Sequence, residues 1–281
     1  MFSVLDMFTI GVGPSSSHTV GPMCAAQAFA SSLEESGAVS RVGRIRVVLY
    51  GSLSLTGLGH GTDRAILAGL EGNVPATVDT DYLLSVRERC AHDGTIHVNG
   101  TNASADDDDG DMVFDRWKRL APHPNGMRVQ AFDAQGNIID EQVWYSIGGG
   151  FTRRGRIDDA LISNHEQTPA SSQSPEDSGN DEAAEYGDGV PYPFVSCDGL
   201  IDLCRKHHLS IADVVWANET ARRSPQEVRD RLTRIWNVMS HCIDAGCASA
   251  TPTLPGGLDV PRRAPMMYRR LAANSDVLRR D

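Results

Sequence analysis

Residues 127–146 read MRVQAFDAQGNIIDEQVWYS, and this stretch decides the class of fold. Two segments, Met127 to Phe132 and Ile138 to Ser146, flank the turn sequence Asp133 to Asn137, which contains Gly136. A glycine-containing turn between two extended segments is typical of a β-hairpin. The stretch therefore predicts two neighbouring antiparallel strands.

Further elements are predicted on the N-terminal side of the hairpin. Residues 43–50 alternate, with Ile45, Val47 and Leu49 on one face, which predicts a strand. Helices are predicted over residues 20–35 and 62–70, residues 74–78 are expected to be extended, and residues 148–150 are expected to end the domain. This mixture predicts an α+β N-terminal domain over residues 1–155.

The pattern becomes helical in the last third of the chain. Residues 156–189 are predicted to form an acidic flexible linker or insertion. Residues 190–281 are assigned to the start of an all-α domain, with helices expected over 196–207, 210–222 and 224–245. Ser224 followed by Pro225 is a typical helix start.

Charge and composition exclude several classes of function. The 281 residues carry a net charge of -11, but residues 106–111 and 164–189 hold 12 of the 37 acidic residues and no Lys or Arg. The remainder is almost neutral and has no basic stripe interleaved with aromatic residues, so nucleic-acid binding has no support. No apolar run approaches the roughly 20 residues that cross a bilayer, which argues against a membrane partner. The six scattered cysteines and the absence of a basic N-terminal segment predict a cytoplasmic protein without a signal peptide.

Two loops carry histidine where side chains are expected to leave the body of the domain. The first loop is Ser15-Ser16-Ser17-His18-Thr19, which precedes a helix. It would bind a carboxylate or phosphate group at the helix N-terminus, or it only caps the helix. The second loop is Gly57-Leu58-Gly59-His60-Gly61-Thr62-Asp63. Its alternate glycines would let the backbone approach a ligand closely, or the loop is only a turn between a strand and a helix. Because both loops lead into helices, we expect His18 and His60 to converge although 42 positions separate them.

Other patterns are less specific. Gly148-Gly149-Gly150 suits an anion-binding nest or a flexible exit from a strand. The chain has no Gly-Lys-Ser/Thr phosphate loop and no Gly-x-Ser-x-Gly elbow, which argues against P-loop enzymes and serine hydrolases. The cysteines lack Cys-x-x-Cys spacing and are interpreted as packing residues.

Several motifs in order along the chain resemble a known family. They are residues 6–23, 50–63, 73–79, 123–127, 145–151, 191–194, 254–258 and 262–264, among them Ser-Ser-Ser-His-Thr at 15–19 and Gly-His-Gly-Thr-Asp at 59–63. Together they resemble iron–sulfur-dependent L-serine dehydratase, an L-serine ammonia-lyase.

The resemblance implies a two-domain lyase of serine catabolism. The first domain would be similar to the allosteric substrate-binding domain of certain phosphoglycerate dehydrogenases, and the second would be helical and carry a 4Fe-4S cluster on cysteines. The cluster would act as a Lewis acid while L-serine loses water and ammonia to give pyruvate.

The resemblance also implies roles for individual residues. His60 matches the catalytic base, His18 a second catalytic histidine, and His123 a substrate-binding histidine near the entrance. Further substrate-binding positions implied by the matching motifs are Ser15, Ser16, Ser17, Thr19, Gly148 and Gly149.

Length is the one departure from the family pattern. Family members are longer, and their cluster cysteines match positions beyond Asp281, so no metal ligand is expected within this chain. The expectation is a truncated or split dehydratase that is inactive alone, forms homo-oligomers, and pairs with a cysteine-bearing C-terminal half. A non-catalytic amino-acid-binding regulatory module and a subunit of a split enzyme are the alternatives.

Overall fold

The computed structural model describes residues 3–104, 111–164, 189–254 and 259–273. The chain divides into two compact units. The sheet unit comprises residues 9–167 and 252–261, and the helical unit comprises residues 1–8, 168–251 and 262–281. Most of the predicted acidic insertion, and Asp106 to Asp109, lie outside the described residues.

The sheet unit is built on a mixed β-sheet, so the predicted α+β class is confirmed. The order of its strands is β2-β3-β1-β6-β7-β8, and β4 also pairs with β1. The strands are β1 Arg44–Tyr50, β2 Thr95–Val98, β3 Thr101–Ser104, β4 Met112–Asp115, β6 Asn125–Phe132, β7 Ile138–Gly148 and β8 Phe151–Arg154. A separate antiparallel pair joins β5 Lys118–Leu120 to β9 Leu161–Ser163.

The predicted hairpin and the strand before it form the centre of this sheet. β6 pairs antiparallel with β7 through the turn at Asp133, whose carboxylate accepts hydrogen bonds from the backbone N–H groups of Gln135 and Asn137. β1 lies antiparallel to β6 and parallel to β4. The alternation along β1 buries Ile45, Val47 and Leu49, as the pattern predicts.

Helices cover the buried side chains of the sheet. They are α1 Gly21–Glu35, α2 Gly51–Thr56, α3 Thr62–Leu70 and α4 Thr80–Asp93. The apolar side chains of α1 and α3, including Phe29, Leu33 and Ile66, join Met127 and Val129 in the main core. α1 and α3 pack so closely that a Cβ on Gly69 would overlap the backbone carbonyl of Met23.

Two expectations for the sheet unit need correction, and one helix was not predicted. Residues 74–78 form a turn, in which the Val74 carbonyl accepts from the N–H groups of Thr77 and Val78, because a following helix needs the chain to reverse there. Residues 148–150, which were expected to end the domain, connect β7 to β8, and β8 and β9 of the sheet unit follow them. Helix α4 was not predicted, since only Leu83, Val86 and Cys90 are buried along an otherwise polar helix.

The helical unit contains the predicted helices. They are α5 Cys197–His207, α6 Ile211–Thr220 and α7 Pro225–Ala248, and a further helix that was not predicted, α8 Ala264–Ala273, follows them. Ser196, Ser210 and Ser224 each cap the N-terminus of the helix that follows. The N-terminal segment joins this unit, because the Ser3 hydroxyl and the Val4 N–H donate to the Glu219 carboxylate at 2.8 Å. Among the described helices, none has the length and apolar character to span a bilayer.

Candidate functional site

The loop that carries His18 is a short helical turn before α1. Ser15 caps this turn, since its hydroxyl accepts from the His18 N–H at 3.1 Å and its carbonyl accepts from the Thr19 N–H at 3.0 Å. The capping function expected of the serine run is therefore present. The same turn brings the Ser17 hydroxyl to 2.9 Å from Nδ1 of His18.

The loop that carries His60 is a single turn, Leu58–His60, ending at Gly61. Gly61 adopts φ 63°, a left-handed conformation that glycine tolerates well, and it allows α3 to begin at Thr62. Nδ1 of His60 lies 2.9 Å from the carbonyl oxygen of Thr56. Because a carbonyl only accepts, Nδ1 carries the hydrogen, and Nε2 of the neutral ring keeps its lone pair.

The two histidines converge, as the loop positions predict. Their ring centroids are 4.9 Å apart and the rings are inclined by 40°. Nε2 of His18 also lies 3.0 Å from the Ser52 hydroxyl, at the start of α2. Burial lowers the pKa of His18, the charge of His60 lowers this pKa further, and a hydrogen bond with Ser52 opposes both effects. The neutral form of His18 is therefore favoured near neutral pH.

Two threonine side chains join the histidine loops. The Thr19 hydroxyl donates to the carbonyl oxygen of His60 at 2.8 Å, and the Thr62 hydroxyl donates to the carbonyl oxygen of His18 at 2.5 Å. Both threonines are buried. A threonine side chain of each loop is thus hydrogen-bonded to a backbone carbonyl of the other loop.

A cleft of about 340 Å³ opens beside His60. Its walls combine backbone from glycines with apolar, acidic and basic side chains: Gly13, Pro14, Thr19, Leu58, Gly59, His60, Gly61, Asp63, Arg64, Leu83, Leu84 and Arg87. Asp63 is buried and pairs with Arg87, which ties the start of α3 to α4. The charge of Asp63 is thus balanced by Arg87, and Arg64 adds a further basic side chain to the wall of the cleft.

His123 lies in a different environment. Its Nδ1 accepts from the N–H of Asn125 at 3.1 Å, and its ring centroid is 6.1 Å from that of Tyr145. Burial and the charge of Arg153 lower its pKa. The next residue contacts the start of α2, where the Pro124 carbonyl accepts from the Ser52 N–H at 2.9 Å. His123 itself is not part of the wall of the cleft.

The glycine triplet also lies outside the cleft. Gly148, Gly149 and Gly150 form the turn between β7 and β8, where the Gly149 carbonyl accepts from the Thr9 hydroxyl at 2.7 Å. Substrate binding by Gly148 and Gly149 stays a prediction.

Comparison with known proteins identifies the family. Residues 3–156 match the family described as serine dehydratase beta chain. The chain belongs to this family. It is 40% identical to L-serine dehydratase of Streptomyces coelicolor over 274 residues, which cover 98% of this chain and 56% of the relative. It is 39% identical to L-serine dehydratase 1 of Escherichia coli over 285 residues, and 35% identical to L-serine dehydratase of Haemophilus influenzae over 278 residues.

The match covers only part of the length of these relatives. The alignment with the Escherichia coli relative covers 100% of this chain and 56% of that relative. The alignment with the Haemophilus influenzae relative covers 99% of this chain and 56% of that relative. The chain thus spans little more than half the length of the curated relatives that it matches.

The cysteines of the chain do not fit an iron–sulfur cluster. Cys24 and Cys90 lie in α1 and α4 of the sheet unit, and burial raises the pKa of Cys24, which favours its neutral thiol over the thiolate that binds iron. Cys197 and Cys204 are about 10 Å apart along the axis of α5. Within the described ranges, no group of three or more His, Cys, Asp or Glu side chains is arranged to hold a metal. The cluster implied by the family resemblance has no ligand set in this part of the chain.

Sequence reasoning missed several residues of the site. Ser52, which contacts His18, and Arg87, which pairs with Asp63, come from α2 and α4. Ser52, Thr62 and Asp63 stand inside the motifs that carry the family resemblance, and that was the available signal. Arg87 lies outside those motifs and on the unpredicted helix α4.

Proposed function

We propose that this chain provides the substrate-binding and proton-abstracting part of an L-serine ammonia-lyase, which converts L-serine to pyruvate and ammonia. The observation that carries the proposal is the histidine pair, with His60 in the wall of a cleft of suitable size. The names of the relatives support serine as the substrate.

His60 is the proposed base. Its Nδ1 donates to the Thr56 carbonyl, so Nε2 is the ring atom that can accept the α-proton of serine. As that proton moves to Nε2, the electrons of the C–H bond form a C=C bond, and the C–O bond breaks with its electron pair on oxygen. The hydroxyl group leaves as hydroxide, which takes up a proton from solvent to give water. The resulting aminoacrylate tautomerises and is hydrolysed to pyruvate and ammonia.

His18 is the proposed second histidine of the site. Its ring is hydrogen-bonded to the hydroxyls of Ser17 and Ser52, and burial favours its neutral form. A neutral neighbour lets His60 accept a proton without repulsion between two cations. Ser15, Ser16 and Ser17 would form the substrate side of this loop, Thr19 would support it from the buried wall of the cleft, and His123 would lie near the entrance.

The remaining features of the enzyme are assigned by resemblance. We infer that a 4Fe-4S cluster acts in the complete enzyme on ligands outside the described part of this chain. A cytoplasmic location, a homo-oligomer, a boundary near residue 155 and a first domain like that of phosphoglycerate dehydrogenases complete the proposal.

The test combines this chain with the missing part of a relative. The chain is treated anaerobically with iron and sulfide, alone and with the C-terminal part of the Streptomyces coelicolor enzyme that has no counterpart here, and pyruvate formation from L-serine is measured. We expect activity only in the mixture, and a loss of on the order of a hundredfold or more with His60→Gln. Arg222→Gln, in the helical unit, is the matched surface control.

Two outcomes would contradict the proposal. Equal turnover by the mixture with and without His60→Gln would remove His60 from the role of base. Binding of L-serine without pyruvate in every mixture would favour the regulatory-module alternative. Circular dichroism of each variant verifies that the fold is retained.

A further inference from the structure

The backbones of the two histidine loops are joined by a reciprocal pair of hydrogen bonds. Thr19 follows His18 directly and donates to the carbonyl of His60, whereas Thr62 stands two residues after His60 and donates to the carbonyl of His18. Each histidine carbonyl is therefore held by a threonine from the opposite loop. The relative exposures of Thr19 and Thr62 are 1% and 0%, so water does not compete for these hydroxyls.

The rest of each loop supports this arrangement. The Thr19 hydroxyl oxygen also accepts from the Ser15 N–H at 3.3 Å, which links the bridge to the cap of the first loop. The Thr62 N–H donates to the Gly57 carbonyl at 3.0 Å, which closes the second loop upon itself. The two loops thus have little freedom to separate while both threonine bonds are intact.

We propose that Thr19 and Thr62 are positioning residues that set the distance between the imidazoles of His18 and His60 and so couple the protonation of the two rings. The coupling itself is a property of this chain without substrate, whereas its value for catalysis rests on the proposed function. A fixed distance matters because the interaction of two charges changes steeply over a few ångströms.

The electrostatic surroundings agree with this proposal. The charge of His60 is one of the causes that lower the pKa of His18, in addition to burial. The other ionisable side chains that line the cleft beside His60 are Asp63, Arg64 and Arg87, and Asp63 forms an ion pair with Arg87. None of these side chains lies between the two rings, which are in direct contact.

The coupling can be measured by NMR titration of the histidine rings in the full chain. The midpoint of His18 is determined in the parent chain and in His60→Gln, and the difference between the two midpoints is the coupling. The same pair of measurements is then made in the background of Thr19→Val and of Thr62→Val. We expect each valine background to lose about half of the coupling or more, because two groups that no longer share a fixed geometry act more independently.

Conservative and distant substitutions separate positioning from a general loss of stability. Thr19→Ser and Thr62→Ser keep the hydroxyl and should keep the coupling. Thr220→Val removes a hydroxyl that donates to the Trp216 carbonyl at 2.8 Å in the helical unit, and it should leave the coupling unchanged. A lower melting temperature alone would not produce this pattern.

An unchanged coupling in both folded valine variants would overturn the proposal. If a valine variant does not fold, Thr62→Ala, which leaves room for a water molecule, takes its place, and an unchanged coupling there has the same meaning. These measurements use no substrate, so a failure of the serine-lyase assignment leaves their outcome intact.

Discussion

The packing of α1 against α3 predicts a large effect of a single methyl group at Gly69. A Cβ at this position would lie 3.0 Å from the Cβ of Ala26 and 3.1 Å from the carbonyl carbon of Met23, and it would overlap the Met23 oxygen. The overlapping atoms belong to backbone that cannot move without shifting a helix. Gly69→Ala should therefore reach the upper end of the usual cost of overpacking, about 3 kcal/mol.

Helix propensity opposes this cost. Alanine in place of glycine stabilises a helix by about 1 kcal/mol, so the net loss of unfolding free energy should be about 2 kcal/mol. Gly246→Ala in α7 is the matched control, because no atom lies within 4 Å of the added Cβ there. That variant should be stabilised by up to about 1 kcal/mol.

Urea unfolding, monitored by hydrogen exchange of peptides from α1, α3 and α7, measures the unfolding free energy of both variants. The peptides report the stability of the sheet unit and of the helical unit separately. Because α3 begins at Thr62, we also expect Gly69→Ala to weaken the coupling between His18 and His60. A Gly69→Ala chain as stable as its parent would refute the reasoning, since it would show that α1 and α3 can move apart without cost.

Two further predictions concern His18 and α7. Burial and the charge of His60 lower the pKa of His18 below its unfolded value, so its contribution to stability is complete above about pH 6.5 and is lost as the pH falls below that value. His18→Gln should therefore flatten the decline in unfolding free energy between about pH 7 and about pH 5, and an unaltered decline would contradict the shift. In α7, Leu232, Trp236, Met239 and Ile243 are all exposed at helical spacing, with 61% of Trp236 accessible. Sedimentation velocity should show concentration-dependent self-association that Trp236→Glu reduces and Arg234→Glu, on the opposite face of α7, does not, whereas equal association of both variants would exclude this face.

Local signals explain which elements could be predicted from the sequence. The alternation of β1, the turn at Asp133 and the serine caps of α5, α6 and α7 each depend on neighbours in the chain, and each agrees with the structure.

The remaining elements depend on contacts between distant segments. The parallel pairing of β4 with β1 joins Met112 to Val47, and nothing within either strand indicates the partner. Helix α4 has a narrow buried stripe, and its packing against α3 supplies the stabilisation that its composition lacks.

The site shows the same limit. The positions of His18 and His60 before helices were sufficient to predict their convergence, and the ring distance of 4.9 Å agrees with it. The crossed threonine bonds and the Ser52 contact could not be predicted, because they exist only after three separate loops have been brought together.

The hydrogen bond from Nδ1 of His60 to the Thr56 carbonyl also determines the route of a proton. Once Nε2 has accepted a proton, the ring is a cation, and a cation donates to a carbonyl more strongly than the neutral ring does. Release through Nδ1 would place a lone pair against the lone pairs of the carbonyl oxygen. The imidazole therefore cannot pass the proton through itself into the protein, and the proton must leave from the nitrogen by which it arrived.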